Sequence, residues 1–352
     1  MTPQRVRIGI VGAGANTRSR HIPGFQAIDG VEIVGVVNRS QESSSRVAQE
    51  FAIPRTFETW TDLVADSEID AVMIGTWPNM HCEVTCAALS AGKHVLTEAR
   101  MARNAAEAHQ MLRAAREHSD LVAQIVPSPF GLRELQLVSK WIEDGVLGDL
   151  RELVVIGAND MFGDPEQPLH WRQSRQLSGL NVLTMGILHE TAMRWTPPVT
   201  RVFAQASIFE ATRPNPDGSG QAQATVPDSL QIVTEMDGGV RGLYHLSAVD
   251  RFGPGTQLHL YGSRGTLKIE WTPKHRVLLG EAADTELHEV NIPPEKAGGW
   301  RVEAEFVGAI RGEEQVHLTD FETGVRYMEF TEAVSRSAES RLPVTLPLEE
   351  PD

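Results

Sequence analysis

The stretch Val6-Arg-Ile-Gly-Ile-Val-Gly-Ala-Gly-Ala-Asn-Thr17 decides the fold of this chain. Four of its first six residues are β-branched and apolar, which is typical of a buried parallel strand. Gly12-Ala-Gly14 follows directly, and Ile22, Phe25 and Ile28 then recur at helical spacing. Glycine permits a tight turn and lets backbone N–H groups approach a pyrophosphate at the start of a helix. Strand, glycine turn and helix in this order predict a dinucleotide-binding Rossmann fold.

The glycine pattern is incomplete, because Thr17 occupies the place of the third glycine. We expect cofactor contacts at Gly12, Gly14, Asn16 and Thr17. These side chains and backbone groups follow the first strand directly, where such folds bind the pyrophosphate.

The end of the second strand bears on the choice between NAD and NADP. Val31–Val37 forms this strand and leads into Asn38-Arg39-Ser40, where Rossmann folds contact the adenosine ribose. NAD-binding proteins usually carry an acid there, whereas Arg39 and Ser40 offer a cation and a hydroxyl to a 2′-phosphate. The sequence favours NADP over NAD, although Asn38 can also bond a ribose hydroxyl.

Composition narrows the class of protein. The chain has 352 residues, of which 41% are apolar and 22% charged, with a net charge of −15. This length suits two domains, and the composition predicts a soluble globular protein. The acidic balance argues against nucleic acid or an anionic membrane as a partner. No apolar run reaches the ~18 residues of a membrane span, and the first strand begins at residue 6, so we expect a cytoplasmic protein without a signal peptide.

The two cysteines, Cys82 and Cys86, lie four residues apart in a helical pattern. His81 is adjacent, but no further metal-ligand types cluster nearby. Two buried thiols explain the spacing better than a metal site.

Two domains follow from the order of the predicted elements. Strands and helices alternate to about residue 125, which predicts a doubly wound parallel sheet in residues 1–125. Residues 126–352 predict an α+β domain with a large, mostly antiparallel sheet, since strands here are longer and alternate. We expect a helix over 179–195, two helices within 300–338, and a mobile surface loop over 211–227. A short strand is expected near 55–57, and the last segment could return to the first domain.

By its ordered motifs the chain resembles the glucose-fructose oxidoreductase, inositol dehydrogenase and rhizopine catabolism family, written Gfo/Idh/MocA. The motifs are, in order, the glycine turn, Ile74-Gly-Thr76-Trp77-Pro78 with His81, Gly92-Lys-His-Val-Leu-Thr-Glu98, Trp171-Arg172, the helix around Gly186, Tyr261-Gly262-Ser-Arg-Gly265 and Leu342-Pro-Val-Thr-Leu-Pro347. The resemblance implies an NAD(P)-dependent oxidoreductase acting on sugars, polyols or related small molecules. It also implies a homodimer or homotetramer joined through the C-terminal sheets, and cofactor contacts at Thr76, Trp77, Pro78, His81, Glu98 and Ala99.

Two positions depart from the family pattern. Glu98-Ala99-Arg100 stands where the family usually has Glu-Lys-Pro, whose lysine lies beside the nicotinamide and the reacting oxygen. In the central helix, Leu188 takes the place of the family histidine and His189 follows one step later. One step turns a helix by ~100°, so His189 need not face the same way.

Another residue must then carry the hydroxyl proton. His189 is the first candidate because the usual pKa of histidine lies near neutrality, and Asp160 is the second. For substrate binding we expect a stacking face and fixed donors from His170, Trp171 and Arg172, with Glu190 and Arg100 as further contacts.

The sequence leaves three functional hypotheses open. The first is an NAD(P)-dependent oxidoreductase of a sugar, polyol or sugar-derived small molecule. The second is a redox-neutral, NAD-dependent glycoside hydrolase or lyase that oxidises its sugar transiently. The third is a non-catalytic nucleotide-binding protein, motivated by Ala99.

Overall fold

The computed structural model describes residues 4–349, and the chain divides into two compact units. The first unit holds the chain up to Pro127 together with Arg301–Val325. The second holds Ser128–Trp300 together with the chain from Arg326 onward. The predicted division after residue 125 falls close to Pro127. The last segment does not return to the first unit as expected, because only Arg301–Val325 belongs there and the chain from Arg326 onward belongs to the second unit.

The sheet of the first unit is parallel throughout, as the sequence predicts. Its strands are β1 (Val6–Val11), β2 (Val31–Val37), β3 (Ala71–Ile74), β4 (His94–Thr97) and β5 (Ala123–Ile125). They lie in the order β2-β1-β3-β4-β5. All five carboxyl ends therefore meet at one edge, where ligands of such sheets bind.

Helices connect the strands and continue into the second unit. In chain order they are α1 (Ile22–Gln26), α2 (Gln41–Phe51), α3 (Trp60–Ala65), α4 (His81–Ser90), α5 (Ala105–Glu117), α6 (Leu135–Glu143), α7 (Arg175–Ser178), α8 (Met185–Met193), α9 (Val302–Ile310) and α10 (Phe321–Ser340). A wide helical turn over Thr17–His21 precedes α1. The predicted strand near 55–57 is wrong, because only a single bridge joins Thr56 to Val36.

The second unit contains a mixed sheet that is mostly antiparallel, again as predicted. Its strands are β6 (Leu150–Ala158), β7 (Val199–Ser207), β10 (Ser229–Met236), β11 (Arg241–Ser247), β12 (Gly255–Gly262), β13 (Gly265–Glu270), β14 (Arg276–Glu281), β15 (His288–Glu289) and β16 (Val344–Thr345); β8 (Thr212–Pro214) and β9 (Gln221–Gln223) form a separate pair. The order is β15-β14-β13-β12-β6-β11-β10-β7-β16, and β6 runs parallel to β11. The hairpin turns predicted at 238–239 and 263–265 are confirmed.

The two faces of this sheet differ. On one face central side chains such as Val202, Ile232 and Tyr244 are buried, and α8 packs against β6. On the other face Phe203, Val233 and Leu243 are exposed by 37%, 50% and 45%. Strand side chains alternate between faces, so this row of exposed apolar residues continues straight across three neighbouring strands.

The long helix predicted over 179–195 is wrong in its first half. The structure places α7 before Gly179, an irregular segment after it, and α8 only at Met185–Met193. Gly179 and Leu183 adopt positive φ values of 72° and 54°, which a right-handed helix cannot include. The Asn181 side chain accepts a hydrogen bond from the N–H of Gly186 at 2.8 Å and so stabilises this irregular entry.

The loop predicted over 211–227 contains a short hairpin instead of irregular chain only, because β8 and β9 pair within it. Arg213 lies in β8 and is 1% exposed. Its guanidinium donates to the carbonyl oxygens of Asp164 and Phe162. These bonds attach the hairpin to the loop that follows β6.

Across residues 4–349, no helix is long and apolar enough to cross a membrane. Both cysteines are free thiols; Cys82 is buried and Cys86 is half-buried. In the same part of the chain no three histidine, cysteine, aspartate or glutamate side chains gather as metal ligands would.

Candidate functional site

The glycine turn after β1 approaches the loop after β3. Gly12 has φ +85°, and a Cβ there would lie 2.6 Å from Thr76 Cγ2 and 2.9 Å from the Thr76 backbone nitrogen. A side chain is excluded at Gly12 both by its backbone conformation and by this contact. Gly14 is less constrained, since its nearest atom would be Gly75 O at 3.5 Å.

Thr17 fills the place of the missing third glycine. Its side chain is 1% exposed, and its hydroxyl donates to the carbonyl oxygen of Gly12 at 3.3 Å. This hydrogen bond therefore stabilises the glycine turn. This placement explains how the incomplete glycine pattern still gives the tight turn, and the predicted contact of Thr17 with a cofactor stays a prediction.

Backbone donors face solvent at the start of the first helical segment. Gly14 and Ala15 are exposed, and their N–H groups have no acceptor in the part of the chain that the structure describes. Such N–H groups at a helix N-terminus attract phosphate oxygens. The turn therefore fits the pyrophosphate of a dinucleotide.

Asn38 is engaged within the protein. Its Oδ1 accepts from the Ala13 N–H at 2.7 Å, and its Nδ2 donates to the backbone carbonyl and hydroxyl oxygens of Ser43. The amide thus ties the glycine turn to the first turn of α2. The predicted bond of Asn38 to the ribose stays a prediction.

Arg39 and Ser40 surround the start of α2. The Arg39 guanidinium carbon lies 4.6 Å from the centre of the Trp77 ring, within the range of a cation–π contact. Ser40 caps α2, because its hydroxyl accepts from the Ser43 N–H at 3.2 Å. A cation, a helix N-terminus and two serine hydroxyls, those of Ser40 and Ser43, therefore lie at the end of β2 and offer donors to an anion.

His81 joins the loops after β3 and β4. It is fully buried; Nδ1 lies 2.6 Å from Arg100 O and Nε2 lies 3.1 Å from Thr76 O. Burial lowers the pKa of His81, and the hydrogen bonds to nearby carbonyl oxygens only partly offset this lowering. A neutral ring donates to only one of these two carbonyl oxygens, and that hydrogen bond supports the loops. The predicted direct contact of His81 with cofactor stays a prediction.

Glu98 follows β4 and is held by two side chains from the first helical segment. Its Oε1 accepts from Asn16 Nδ2 at 2.5 Å and lies 3.1 Å from His21 Nε2. The other nitrogen of His21, Nδ1, lies 2.5 Å from Oε1 of Glu303 on α9. His21 is completely buried between these two carboxylates.

The charges of this cluster follow from its contacts. Burial lowers the pKa of His21, but hydrogen bonds to Glu303 and Glu98 outweigh it and raise the pKa to about 9. Burial raises the pKa of Glu98, but the His21 bond and charge and the Asn16 amide bring it below its usual value. At neutral pH His21 is therefore an imidazolium beside an ionised Glu98.

In the second unit His189 is deeply buried. It is 3% exposed, its ring stacks on Phe330 with centroids 3.6 Å apart, and its Nδ1 lies 2.8 Å from the Tyr244 hydroxyl. Burial, with the charge of Arg326, lowers its pKa to about 3. The argument from a near-neutral pKa is therefore wrong for this side chain, and its role in proton transfer remains untested.

Glu190, the next residue on α8, forms a buried ion pair. Its carboxylate binds Arg194 one turn later at 2.9 Å and accepts from the Ser128 N–H at 2.7 Å. Glu190 is 3% exposed. These contacts attach α8 to the start of the second unit, and a contact of Glu190 with substrate stays a prediction.

The remaining predicted residues of the second unit are more accessible. Asp160 is exposed directly after β6. His170, Trp171 and Arg172 form a stack in which the guanidinium carbon lies 4.3 Å from the centre of the Trp171 ring. His170 Nδ1 also accepts from the Arg172 N–H at 3.2 Å, which fixes the turn. An aromatic ring beside a guanidinium can stack on the apolar face of a sugar and donate hydrogen bonds to its hydroxyls. This role of the three residues stays a prediction.

The two units of the chain match the two domains of one known family. Residues 6–125 match the model of an oxidoreductase family with an NAD-binding Rossmann fold, and residues 135–268 match the model of the Gfo/Idh/MocA C-terminal domain. The chain belongs to the Gfo/Idh/MocA family. Its resemblance by motifs is thereby confirmed, and the family name indicates oxidoreductase activity with an NAD-type cofactor.

Among the similar proteins are named dehydrogenases. Levoglucosan dehydrogenase of Pseudarthrobacter phenanthrenivorans is 25% identical over 234 residues, which cover 63% of this chain and 59% of that protein. The trans-1,2-dihydrobenzene-1,2-diol dehydrogenase of Mus musculus is 26% identical over 282 residues, which cover 78% of each. Sugar dehydrogenases are thus among the relatives of this Gfo/Idh/MocA protein.

Solved structures confirm the two-part fold. Levoglucosan dehydrogenase in complex with NADH has a TM-score of 0.87 at 20% identity, covering 98% of this chain and all of the other. The WlbA dehydrogenase of Bordetella pertussis, in complex with NADH and UDP-GlcNAcA, has a TM-score of 0.78 at 20% identity, covering 99% of this chain and all of the other.

Sequence reasoning missed two members of the His21 cluster. Glu303 lies 282 positions after His21, and no local pattern connects them. His21 itself lies beyond the glycine pattern and looks like an ordinary helix residue. The signal that can find such a pair is a buried histidine facing a carboxylate, which requires the folded chain. Ala99 and Arg100 directly follow Glu98 after β4, and Arg100 is 7% exposed. The predicted contact of Ala99 with cofactor and that of Arg100 with substrate stay predictions.

Proposed function

We propose that this Gfo/Idh/MocA protein is an NAD(P)-dependent dehydrogenase of a sugar, polyol or related small molecule. The observation that carries the proposal is the arrangement after β1 and β4. A braced glycine turn with exposed N–H donors lies on the same sheet edge as a carboxylate held by Asn16 and His21. The sugar and diol dehydrogenases among its relatives agree with this substrate class.

The chain's residues divide the work as follows. Gly12 allows the tight turn, its own N–H being bonded to the Val37 carbonyl, and the N–H groups of Gly14 and Ala15 receive the pyrophosphate. Arg39 and Ser40 receive the adenosine end. The bound nicotinamide supplies hydride chemistry. Glu98 lies where β4 ends, and Asp160, His170, Trp171 and Arg172 are the candidate substrate contacts of the second unit.

We propose further that NADP is preferred over NAD. Asn38 carries no charge and is turned toward Ala13 and Ser43, so no carboxylate at this position repels a 2′-phosphate. Arg39, the N-terminus of α2 and the hydroxyl of Ser40 supply the positive charge and donors that a 2′-phosphate needs.

The test combines each cofactor with a panel of free sugars, polyols, sugar acids, glycosides and cyclic diols. Nicotinamide absorbance and product masses are followed together. Reduced or oxidised product formed in step with the absorbance supports the proposal. Product without net absorbance change identifies redox-neutral chemistry instead. This outcome is tested because Ala99 stands in place of the family lysine. Binding of NADPH with no product across the panel contradicts a dehydrogenase and supports a nucleotide-binding role.

We also propose that two copies associate through the exposed face of the large sheet. The row of Phe203, Val233 and Leu243 is apolar, and the next row carries the ion pairs Arg201–Glu235 and Arg241–Glu152. A row with both signs of charge can face its own copy across a twofold axis. A second copy of this chain is therefore the expected occupant.

A further inference from the structure

His21, Glu98 and Glu303 form an acid–base cluster at the carboxyl end of β4. Ala99, which cannot ionise, follows Glu98 in the chain. His21 lies between Glu98 and Glu303, with nitrogen–oxygen distances of 3.1 Å and 2.5 Å. The side chain of His21 is 0% exposed, that of Glu303 5% and that of Glu98 14%.

The charged groups around His21 favour its protonated form. Both ring nitrogens face carboxylate oxygens, and an imidazole donates from both nitrogens only when it is protonated. The neighbouring Asn16 is neutral, and burial lowers the pKa of the nearby His81. Glu305, on the same helix as Glu303, instead accepts from the N–H groups of His317 and Leu318. His21 therefore lies as a cation between the carboxyl groups of Glu98 and Glu303.

Glu98 keeps one oxygen for another partner. Asn16 and His21 both bind Oε1, and no hydrogen bond to Oε2 is present in the described part of the chain. A neutral amide and a cationic ring therefore fix the carboxylate while its side chain stays partly accessible. Arg100, one residue beyond Ala99, cannot accept a proton because guanidinium stays protonated.

We propose that the cluster of His21, Glu98 and Glu303 is the proton acceptor of the reaction, and that Glu98 Oε2 takes the substrate's hydroxyl proton. This inference rests on the proposed dehydrogenase function. As the alcohol C–H bond breaks, its electron pair leaves as hydride to the oxidised nicotinamide. The O–H bond breaks, its electrons form the carbonyl, and the proton passes to Oε2. His21 contacts both carboxylates and acts through Glu98, so it is a positioning residue.

The geometry of the cluster supports this direction of transfer. Oε2 is the oxygen of Glu98 that Asn16 and His21 leave open, and the ionised carboxylate has a lone pair there that can accept the proton. His21 keeps Glu98 ionised in the resting state and so keeps it ready to accept.

The first test needs no substrate. Histidine side chains labelled with ¹³C and ¹⁵N are titrated by NMR in the whole chain, and the His21→Gln variant assigns the signal. We expect an imidazolium at pH 7 that loses its proton near pH 9, and a lower midpoint in Glu98→Gln and in Glu303→Gln. A neutral His21 ring at pH 7 in the unaltered chain overturns the proposal.

The second test separates proton transfer from binding. Cofactor binding by Glu98→Gln is measured by fluorescence titration, and its rate is compared with that of the unaltered chain at saturating cofactor. With the alcohol identified by the panel, its single-turnover rate should fall about 100-fold, the usual minimum for losing a general base. Formate should restore part of the rate to Glu98→Gly, because it supplies a carboxylate where the side chain was removed. Glu83→Gln, an exposed carboxylate on α4, is the matched control and should keep the full rate.

The outcomes distinguish the two proposals. Failure of the unaltered chain to bind either NADPH or NADH overturns the dehydrogenase function itself. An unaltered rate in Glu98→Gln, or a slow Glu98→Gly that formate does not restore, overturns only the role of the cluster. A loss that formate restores supports it, since a structural defect does not respond to a free carboxylate.

Discussion

Among single residues, Gly12 in the glycine turn after β1 can be compared with Gly92, which lies between α4 and β4. Gly12 and Gly92 both have positive φ, 85° and 74°, but a Cβ at Gly12 meets Thr76 whereas one at Gly92 meets nothing within 4 Å. Gly12→Ala therefore adds overpacking to backbone strain, and Gly92→Ala adds strain alone. We expect Gly12→Ala to cost about 1–3 kcal/mol more in the free energy of unfolding.

Urea unfolding of both variants measures this difference, and NADPH titration measures the second consequence. Gly12→Ala should also weaken cofactor binding, because the turn must open to admit the methyl group, while Gly92→Ala should bind normally. Equal stability of the two variants would contradict the steric account of the turn.

Single residues show how far the sequence alone reaches. Gly12 was predictable because strand, turn and helix are consecutive in the chain. The engagement of Asn38 was not, since its partners Ala13 and Ser43 are known only once β1 and α2 are adjacent. His189 was judged by its usual pKa, and burial against Phe330 overrides that value. A role inferred from the usual pKa of a residue type is wrong where burial changes that pKa.

At the element scale, the burial of His189 in α8 predicts sensitivity to acid. Its pKa is about 3 in the folded chain and 6.5 unfolded, so only the unfolded chain takes up this proton between those values. The contribution is fully present above pH 6.5 and is lost as pH falls. We expect the free energy of unfolding to decrease by about 1.4 kcal/mol per pH unit from this one group.

Denaturant unfolding between about pH 6.5 and pH 4.5, above the range where most carboxylates titrate, measures the slope. His189→Gln, which can still bond the Tyr244 hydroxyl, should be less stable overall yet flatter with pH. The exposed His288 gives the control, and His288→Gln should leave the slope unchanged. A slope that His189→Gln does not reduce would show that this ring titrates normally.

The start of α2 carries the second prediction at this scale. Arg39→Ala should weaken NADP binding by about 1.5–3 kcal/mol, or roughly 10–100-fold, because a charge-assisted contact to the 2′-phosphate is lost. NAD, which lacks that phosphate, should bind nearly as before. Calorimetric titration with both cofactors measures the two effects.

Arg46→Ala is the matched control, since Arg46 lies on the same helix and pairs with the exposed Glu42. It should change neither affinity. Equal losses for NAD and NADP in Arg39→Ala would instead assign Arg39 to the adenine through its contact with Trp77.

Helices and strands were predicted correctly where the local sequence pattern alone determines them. The strands of the parallel sheet are short apolar runs between helices, and the hairpins carry glycine turns, so both were found. The segment 179–184 is apolar enough for a helix, but Asn181 binds the N–H of Gly186 and Leu183 adopts a positive φ. Arg213 in β8 is buried against distant carbonyls, which composition cannot indicate. Tertiary contacts, absent from any local window, decide these segments.

At the scale of the whole molecule, the exposed sheet face predicts the oligomeric state. Val233 lies in the middle of the apolar row, paired with Phe203 on one side and Leu243 on the other. It is half exposed, so Val233→Glu should leave the stability of the single chain nearly unchanged. In an interface between two copies, the same substitution buries two carboxylates close together without partners, which is strongly unfavourable.

We therefore expect the unaltered chain to sediment at twice or four times its mass of 38.7 kDa, and Val233→Glu to form smaller species. Circular dichroism should show the same secondary structure in both. Phe252→Glu is the control, because Phe252 is fully exposed on a turn outside the sheet strands. A monomeric unaltered chain, or a Val233→Glu variant of unchanged mass, contradicts association through this face. Dissociation in Val233→Glu alone identifies the apolar row as the surface where copies of this chain meet, since only that substitution places charge on it.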